Sequence, residues 1–139
     1  LVIDGTGHGE AGLQIAPWWS QDVDGRLNVR TTDGEIACFG GRLPFYSFTG
    51  QHGITYTRGN PIHLEIKYLP NGMSQQNPGT IEYTVGYLGQ TYLSGVIPFD
   101  QGNPNEPEHG FWGILNDARV GAHLQAFIQA SPAMNFQNA

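Results

Sequence analysis

Glycine and proline break this chain every few residues: 20 Gly and 9 Pro are spread over 139 positions. Neither is well tolerated inside a helix. The runs between the breaks are short, and most alternate apolar with polar side chains, the period of a strand with one buried face. Gly12-Leu13-Gln14-Ile15-Ala16 is one such run, closed by Pro17. Arg26 to Thr32 alternates with Leu27 and Val29 on one side, and Asp33-Gly34 joins it to Glu35-Ile36-Ala37-Cys38-Phe39. Asp-Gly between two strands predicts a hairpin, since both turn residues tolerate positive φ. Pro61 to Leu69 predicts a strand with Ile62, Leu64, Ile66 and Tyr68 inward and His63, Glu65 and Lys67 outward. Thr80 to Tyr87 repeats the pattern with Ile81, Tyr83, Val85 and Tyr87 inward, and Leu88-Gly89 turns it into Gln90 to Ser94. Val96 to Phe99 follows, and Phe111 to Leu115 reads as a buried strand. Arg119 to Gln129 fits both a strand and a helix; Gly121 and the β character of the rest favour a strand with Val120, Ala122 and Leu124 on one side. Roughly eight short strands between turns predict an all-β fold, an antiparallel two-sheet sandwich or jelly roll. The expected organisation is one domain over residues 1–130, with 131–139 as a tail or docking arm.

Composition narrows the partners. Charged residues make up only 13% of the chain, about half the usual share, so Gln, Asn, Thr, Ser and Gly must cover much of the surface. Such surfaces suit sugars or close packing against identical neighbours. The net charge is −6 and the basic residues are scattered, which disfavours nucleic acid. No run approaches the roughly 18 apolar residues of a membrane helix, so membrane insertion is not expected. The chain begins at Leu1 rather than Met and reads as a processed product or an excised piece. Its composition suggests an extracellular or cell-surface protein. Cys38, the one cysteine, sits in the apolar run Ile36-Ala37-Cys38-Phe39 and is expected to be a buried, unreactive side chain.

The second half carries a resemblance. Ile62-His63-Leu64-Glu65-Ile66-Lys67-Tyr68 is followed by Thr80-Ile81-Glu82-Tyr83-Thr84-Val85 and by the small-residue hairpin Gly89-Gln90-Thr91-Tyr92-Leu93-Ser94-Gly95. Then come Phe111-Trp112-Gly113-Ile114-Leu115-Asn116-Asp117-Ala118-Arg119-Val120-Gly121 and a closing strand. This order resembles the concanavalin-A-like jelly rolls, including laminin-G-like and carbohydrate-binding modules, over Pro61 to Gln129. The resemblance implies two sheets, a final strand beside the first, and glycan binding on a concave face or in edge loops. It carries no catalytic residue onto this chain. Many such domains hold calcium through a carboxylate in the last strand; here that strand reads Gln125-Ala126, so calcium is not implied by the match. The chain is short for the family, which points to missing strands or a strand supplied by a partner.

Candidate sites are few. Gly7-His8-Gly9-Glu10-Ala11-Gly12 has the spacing of a dinucleotide fingerprint, but Pro17 stops any helix that would meet a pyrophosphate, and a Gly-rich loop is expected instead. Trp18-Trp19 follows Pro17; adjacent strand residues face opposite sides, so one ring can enter the core while the other is offered to a sugar face, or covers a sheet edge. Tyr46 and Tyr92 are further ring candidates, and Trp112 reads as core. Leu43-Pro44-Phe45-Tyr46-Ser47-Phe48 reads as a buried aromatic loop packed on the sandwich, or as a binding wall or an apolar subunit contact. Asp22, Asp24 and the loop from Asp100 to Glu106 offer oxygen ligands of the type calcium prefers, but lack the spacing of a helical calcium loop and read as solvated turns. No cofactor is expected. Glu65 and Glu82 share an outward face and read as surface charges rather than as the acid pair of a glycoside hydrolase. His63 and His123 are candidates to meet on one sheet face. The expectation is a non-catalytic, lectin-like carbohydrate-binding module using Trp18, Trp19, Tyr46 and Tyr92. The alternative is a structural subunit of a fibre, pilus or capsid-like assembly, completed by strand exchange through Leu1-Val2-Ile3 or the tail around Phe136.

Overall fold

The computed structural model describes residues 1–17, 23–100, 112–114 and 118–126. Its elements run β1 (Gly9–Pro17), β2 (Gly25–Arg30), β3 (Ile36–Gly40), β4 (Leu43–Ser47), α1 (Phe48–His52), β5 (Ile62–Leu69), β6 (Thr80–Tyr87), β7 (Gln90–Leu93), β8 (Ile97–Pro98) and β9 (Ala118–Ala126). Two antiparallel sheets result. One has five strands in the order β4-β3-β2-β1-β9; the other runs β5-β6-β7, with β8 also paired to β6. This is an all-β sandwich.

Alternation builds the core. Leu27, Val29, Ile36 and Cys38 from the first sheet and Ile62, Ile81, Tyr83 and Val85 from the second are all at most 1% exposed. β5 and β6 have the inward residues read from their sequence, in the register Ile62↔Tyr87 through Leu69↔Thr80. Leu88 and Gly89 both take positive φ, 50° and 78°, as a two-residue hairpin turn requires. The Asp33-Gly34 hairpin differs in detail. Arg30 and Glu35 close a four-residue loop through Arg30 N–H to Glu35 O at 2.9 Å, and only Gly34 has positive φ.

Two segments depart from expectation, and two more have placements that the sequence left open. Leu43 to Phe48 is not a loop: it forms β4 and then enters α1, which Ser47 caps by accepting the Gly50 N–H at 2.9 Å. Trp112, Gly113 and Ile114 lie outside any strand, where Ile114 is buried and hydrogen-bonded to the Tyr68 hydroxyl. β9 is a strand, as expected, and its apolar side chains lie outside the core. Val120 is 55% and Leu124 45% exposed, because β9 extends the first sheet one strand past β1, against which β5 packs. Leu1 to Ile3 pairs within its own chain. Leu1 exchanges backbone hydrogen bonds with Ile62, Val2 bridges Pro61, and Ile3 is 1% exposed. Arg58 clamps the Gly-rich loop before β1 by donating to the Gly5 and Gly7 carbonyls, so that loop serves to seat the N-terminal segment.

Candidate functional site

The outward face of the five-stranded sheet carries the densest polar arrangement in the described residues. Register places side chains in rows across the strands. One row is Phe39–Arg26–Gln14–Gly121, the next Ser47–Ala37–Asn28–Gly12–His123, and the third Arg30–Glu10–Gln125. The alternation of β2 that buries Leu27 and Val29 in the core necessarily turns Arg26, Asn28 and Arg30 to this face.

Gly12 creates the centre of the face. It sits on β1 between Asn28 and His123, and its missing side chain lets theirs meet: Asn28 Nδ2 lies 3.1 Å from His123 Nε2. A Cβ at Gly12 would fall 2.0 Å from Leu27 O and 2.9 Å from Asn28 Oδ1. The same Nδ2 points to Glu10 Oε2 at 3.4 Å, at the long end of hydrogen bonding. An amide N–H between two acceptors requires the unprotonated Nε2 of a neutral His123. Burial lowers the pKa of His123, and Arg26 adds to this, against the opposing charges of Glu10 and Asp24. Asn28 is 2% exposed, and its Oδ1 has no hydrogen-bond partner among the described residues.

Asp24 organises the neighbouring row. It is buried, with Oδ2 accepting from Gln14 Nε2 at 3.0 Å and Arg26 Nε at 2.9 Å, and Oδ1 accepting the Gly41 N–H at 2.7 Å. The solvated turn expected at Asp24 is therefore corrected: its carboxylate is an internal brace that fixes the Gln14 and Arg26 side chains. Arg26 also lies over the Phe39 ring, 5.8 Å from its centroid. On the third row Arg30 pairs with Asp33 at 2.6 Å and Glu35 at 3.2 Å; the hydrogen bond from Arg30 holds the Asp33 carboxyl below its usual range. Where Gln14, Ala16, Pro17, Arg119 and Gly121 meet, the face has a shallow recess of about 180 Å³.

The ring residues named from sequence divide. Trp18 and Trp19 lie outside the described residues, as do Asp22 and residues 101–111. Tyr46 and Tyr92 come together, on the inward side of β4 and β7, around His52. Tyr46 Oη is 3.0 Å from His52 Nε2, and the His52 and Tyr92 rings are 5.1 Å apart. Phe48 meets Tyr46 edge-on at 5.1 Å. This half-buried cluster closes one side of the sandwich. His63 and His123 do not meet, since they stand on different sheets. Glu65 and Glu82 share the outer face of the second sheet, where Glu65 is near His63 at 3.3 Å and Glu82 lies opposite Lys67. No group of three or more His, Cys, Asp or Glu gathers as metal ligands among the described residues. A crevice of about 830 Å³ opens between β1, β5 and the β6–β7 turn, walled by Leu13, Ile62, Leu64, Gly89 and Ala122 among others.

Glu10, Gln14, Arg26, Asn28 and His123 were not singled out as a site by the sequence. Alternation in Arg26-Leu27-Asn28-Val29-Arg30 marks three residues of one face, but that β9 brings His123 beside Gly12 is a long-range pairing no local pattern contains. Comparison with protein-family models, with curated proteins and with solved structures found no match.

Proposed function

We propose that this protein is a non-catalytic glycan-binding sandwich of jelly-roll type, extracellular or surface-displayed, whose ligand face is the outer side of the five-stranded sheet. The observation that carries the reading is the braced polar lattice there: Gln14–Asp24–Arg26 and Glu10–Asn28–His123, two networks side by side on one sheet. A sugar ring offers hydroxyls that both donate and accept, and a CH face that packs on rings. The lattice supplies acceptors at Glu10 and donors at Gln14 and Arg26 in fixed positions, so little side-chain entropy is lost on binding. Phe39 supplies an apolar surface on the same row. Trp18 and Trp19, which follow β1 directly in sequence, are assigned as additional stacking rings. Both oxygens of Asp24 are occupied by fixed donors, which favours a positioning role over proton transfer. Modest affinity per site, raised by display in many copies, fits such a module.

A glycan array tests this with the full chain, alongside Arg26→Ala, Gln14→Ala and Trp18→Ala/Trp19→Ala. Retention of a defined glycan class that falls at least about tenfold with Arg26→Ala or Gln14→Ala is expected, the loss of one charge-assisted hydrogen bond. Glu65→Gln, on the other sheet, serves as the unaffected control. Absence of any retained glycan, or binding that survives all changes on the face, overturns the proposal.

A further inference from the structure

Among the described residues, β4 and β9 border one sheet and β5, β7 and the two-residue β8 border the other, and every edge but that of β9 is blunted. β4 contains Pro44 and leads into α1; β7 has four residues; the start of β5 is covered by Leu1 and Val2, and β5 turns Glu65 and Lys67 outward. Among the described residues β9 has no proline, no covering segment and only one formal charge, Arg119. It is nine residues long, Ala-Arg-Val-Gly-Ala-His-Leu-Gln-Ala, with no acidic residue, and one of its faces is the exposed stripe Val120, Ala122, Leu124. A long edge of this kind is a template for another strand.

The sequence of β9 specifies which strand. Thr31 N–H donates to Gly9 O, so odd-numbered residues of β1 turn their backbone groups to β2 and even-numbered ones to β9. Their partners are Arg119, Gly121, His123 and Gln125, which leaves the N–H and C=O of Ala118, Val120, Ala122, Leu124 and Ala126 directed away from the sheet. These five are symmetric about Ala122. We propose that a second copy of this chain pairs its β9 antiparallel with the first, in the register Ala122↔Ala122, joining the two five-stranded sheets into one. Up to about ten backbone hydrogen bonds form, two per outward-facing pair. On the inner side Val120 of each copy lies beside Leu124 of the other. On the outer side His123 faces Gly121 of the second copy, where no atom of the described residues lies within 4 Å of the position a Cβ would take. Arg119 faces Gln125 of the second copy, with that copy's Glu10 next in the row, so opposite charges approach twice. No like charges are opposed.

Ala122 faces itself across the two-fold axis, is exposed, and tests the register. Sedimentation velocity on the full chain over a wide concentration range is expected to show a monomer–dimer equilibrium. Ala122→Glu and Ala122→Lys each oppose like charges at the axis and are expected to weaken self-association roughly tenfold or more, while an equimolar mixture of the two restores a dimer. The restored mixture separates loss of pairing from loss of folding. A wild type that stays monomeric at every concentration overturns the proposal. So does a dimer or polymer that neither variant weakens, or a mixture that remains monomeric. This association does not depend on the glycan reading, and its readout contains no glycan.

Discussion

Gly12→Ala is the sharpest test of the polar face, because the same change is helpful at most exposed strand glycines. Removing glycine's freedom in the unfolded chain ordinarily stabilises by about 0.4–1 kcal/mol. At Gly12 the added methyl would stand 2.0 Å from Leu27 O and 2.9 Å from both Cα and Oδ1 of Asn28. Favourable carbon contacts begin near 3.5 Å, and two of the three atoms are backbone of the neighbouring strand, which cannot rotate away. Overpacking of this kind costs about 1–3 kcal/mol. Displacing the Asn28 amide from His123 and Glu10 adds about 1 kcal/mol for each hydrogen bond lost from a buried group. Against the entropic gain, the net is a loss of about 2–4 kcal/mol, or a fall in Tm of roughly 6–15 °C for a domain of this size. Gly121, one strand away on the same face, has no atom of the described residues within 4 Å of its Cβ position, and Gly121→Ala is expected to be neutral or stabilising by up to about 1 kcal/mol. Calorimetry or chemical denaturation of both variants, at a concentration where the chain is monomeric, measures the pair. Equal effects at the two glycines, or a Gly12→Ala variant as stable as wild type, refutes the idea that Gly12 is the gap through which Asn28 and His123 meet.

Three further outcomes follow from buried groups. His123 has its pKa lowered by burial and by Arg26, so on acidification below about 6.5 the unfolded chain takes up a proton that the native state resists. Stability therefore falls with decreasing pH from that point until the native imidazole itself protonates, and His123→Gln, which keeps an acceptor for Asn28, flattens this segment of a stability–pH curve. Tyr83 is 1% exposed and its hydroxyl has no hydrogen-bond partner among the described residues, so Tyr83→Phe is expected to be neutral or stabilising by about 1 kcal/mol, read as a rise in denaturation midpoint; a clear loss would mean the hydroxyl has a partner. The Tyr56 hydroxyl accepts the Ile3 N–H at 2.9 Å and donates to Asn60 O at 2.6 Å, so Tyr56→Phe is expected to cost about 1–3 kcal/mol and to speed amide exchange at Ile3 before that of β6.

What the sequence made legible is what two-residue periodicity and turn chemistry encode. β5 and β6 begin and end within a residue of expectation because their inward positions are apolar without exception and Leu88-Gly89 supplies the turn. β9 is a strand, as its alternation predicts, but alternation does not tell whether its apolar face is covered. Val120, Ala122 and Leu124 have the pattern of a core face, but β5 packs over β1 rather than over β9, and the order of strands in a sheet is not a local property. Phe45 shows the converse: in a run of aromatics it reads as buried, whereas β4 turns Tyr46 inward and leaves Phe45 64% exposed. The solvated turn expected at Asp24 fails for the same reason. Beside Gly25 it looks like a turn residue, and its burial depends on Gln14 from β1 and Gly41 from the β3–β4 turn arriving at both of its oxygens.

The face and the edge have a common origin in the glycines of β1 and β9. In a sheet with both faces lined by ordinary side chains, Asn28 and His123, two strands apart on either side of β1, would be separated by whatever stood between them. Gly12 removes that barrier and commits the His123 ring inward over β1, toward Asn28. A ring held in that direction is withdrawn from the outer border of β9, and Gly121, its neighbour but one along the strand, adds no side chain there either. The middle of the β9 border, between Arg119 and Gln125, is thus left low on the polar side by the same contacts that order the polar lattice. A substitution that disorders Asn28 and releases His123 changes both the ligand face and the edge, and only the charge pair at Ala122, which touches neither network, addresses the edge alone.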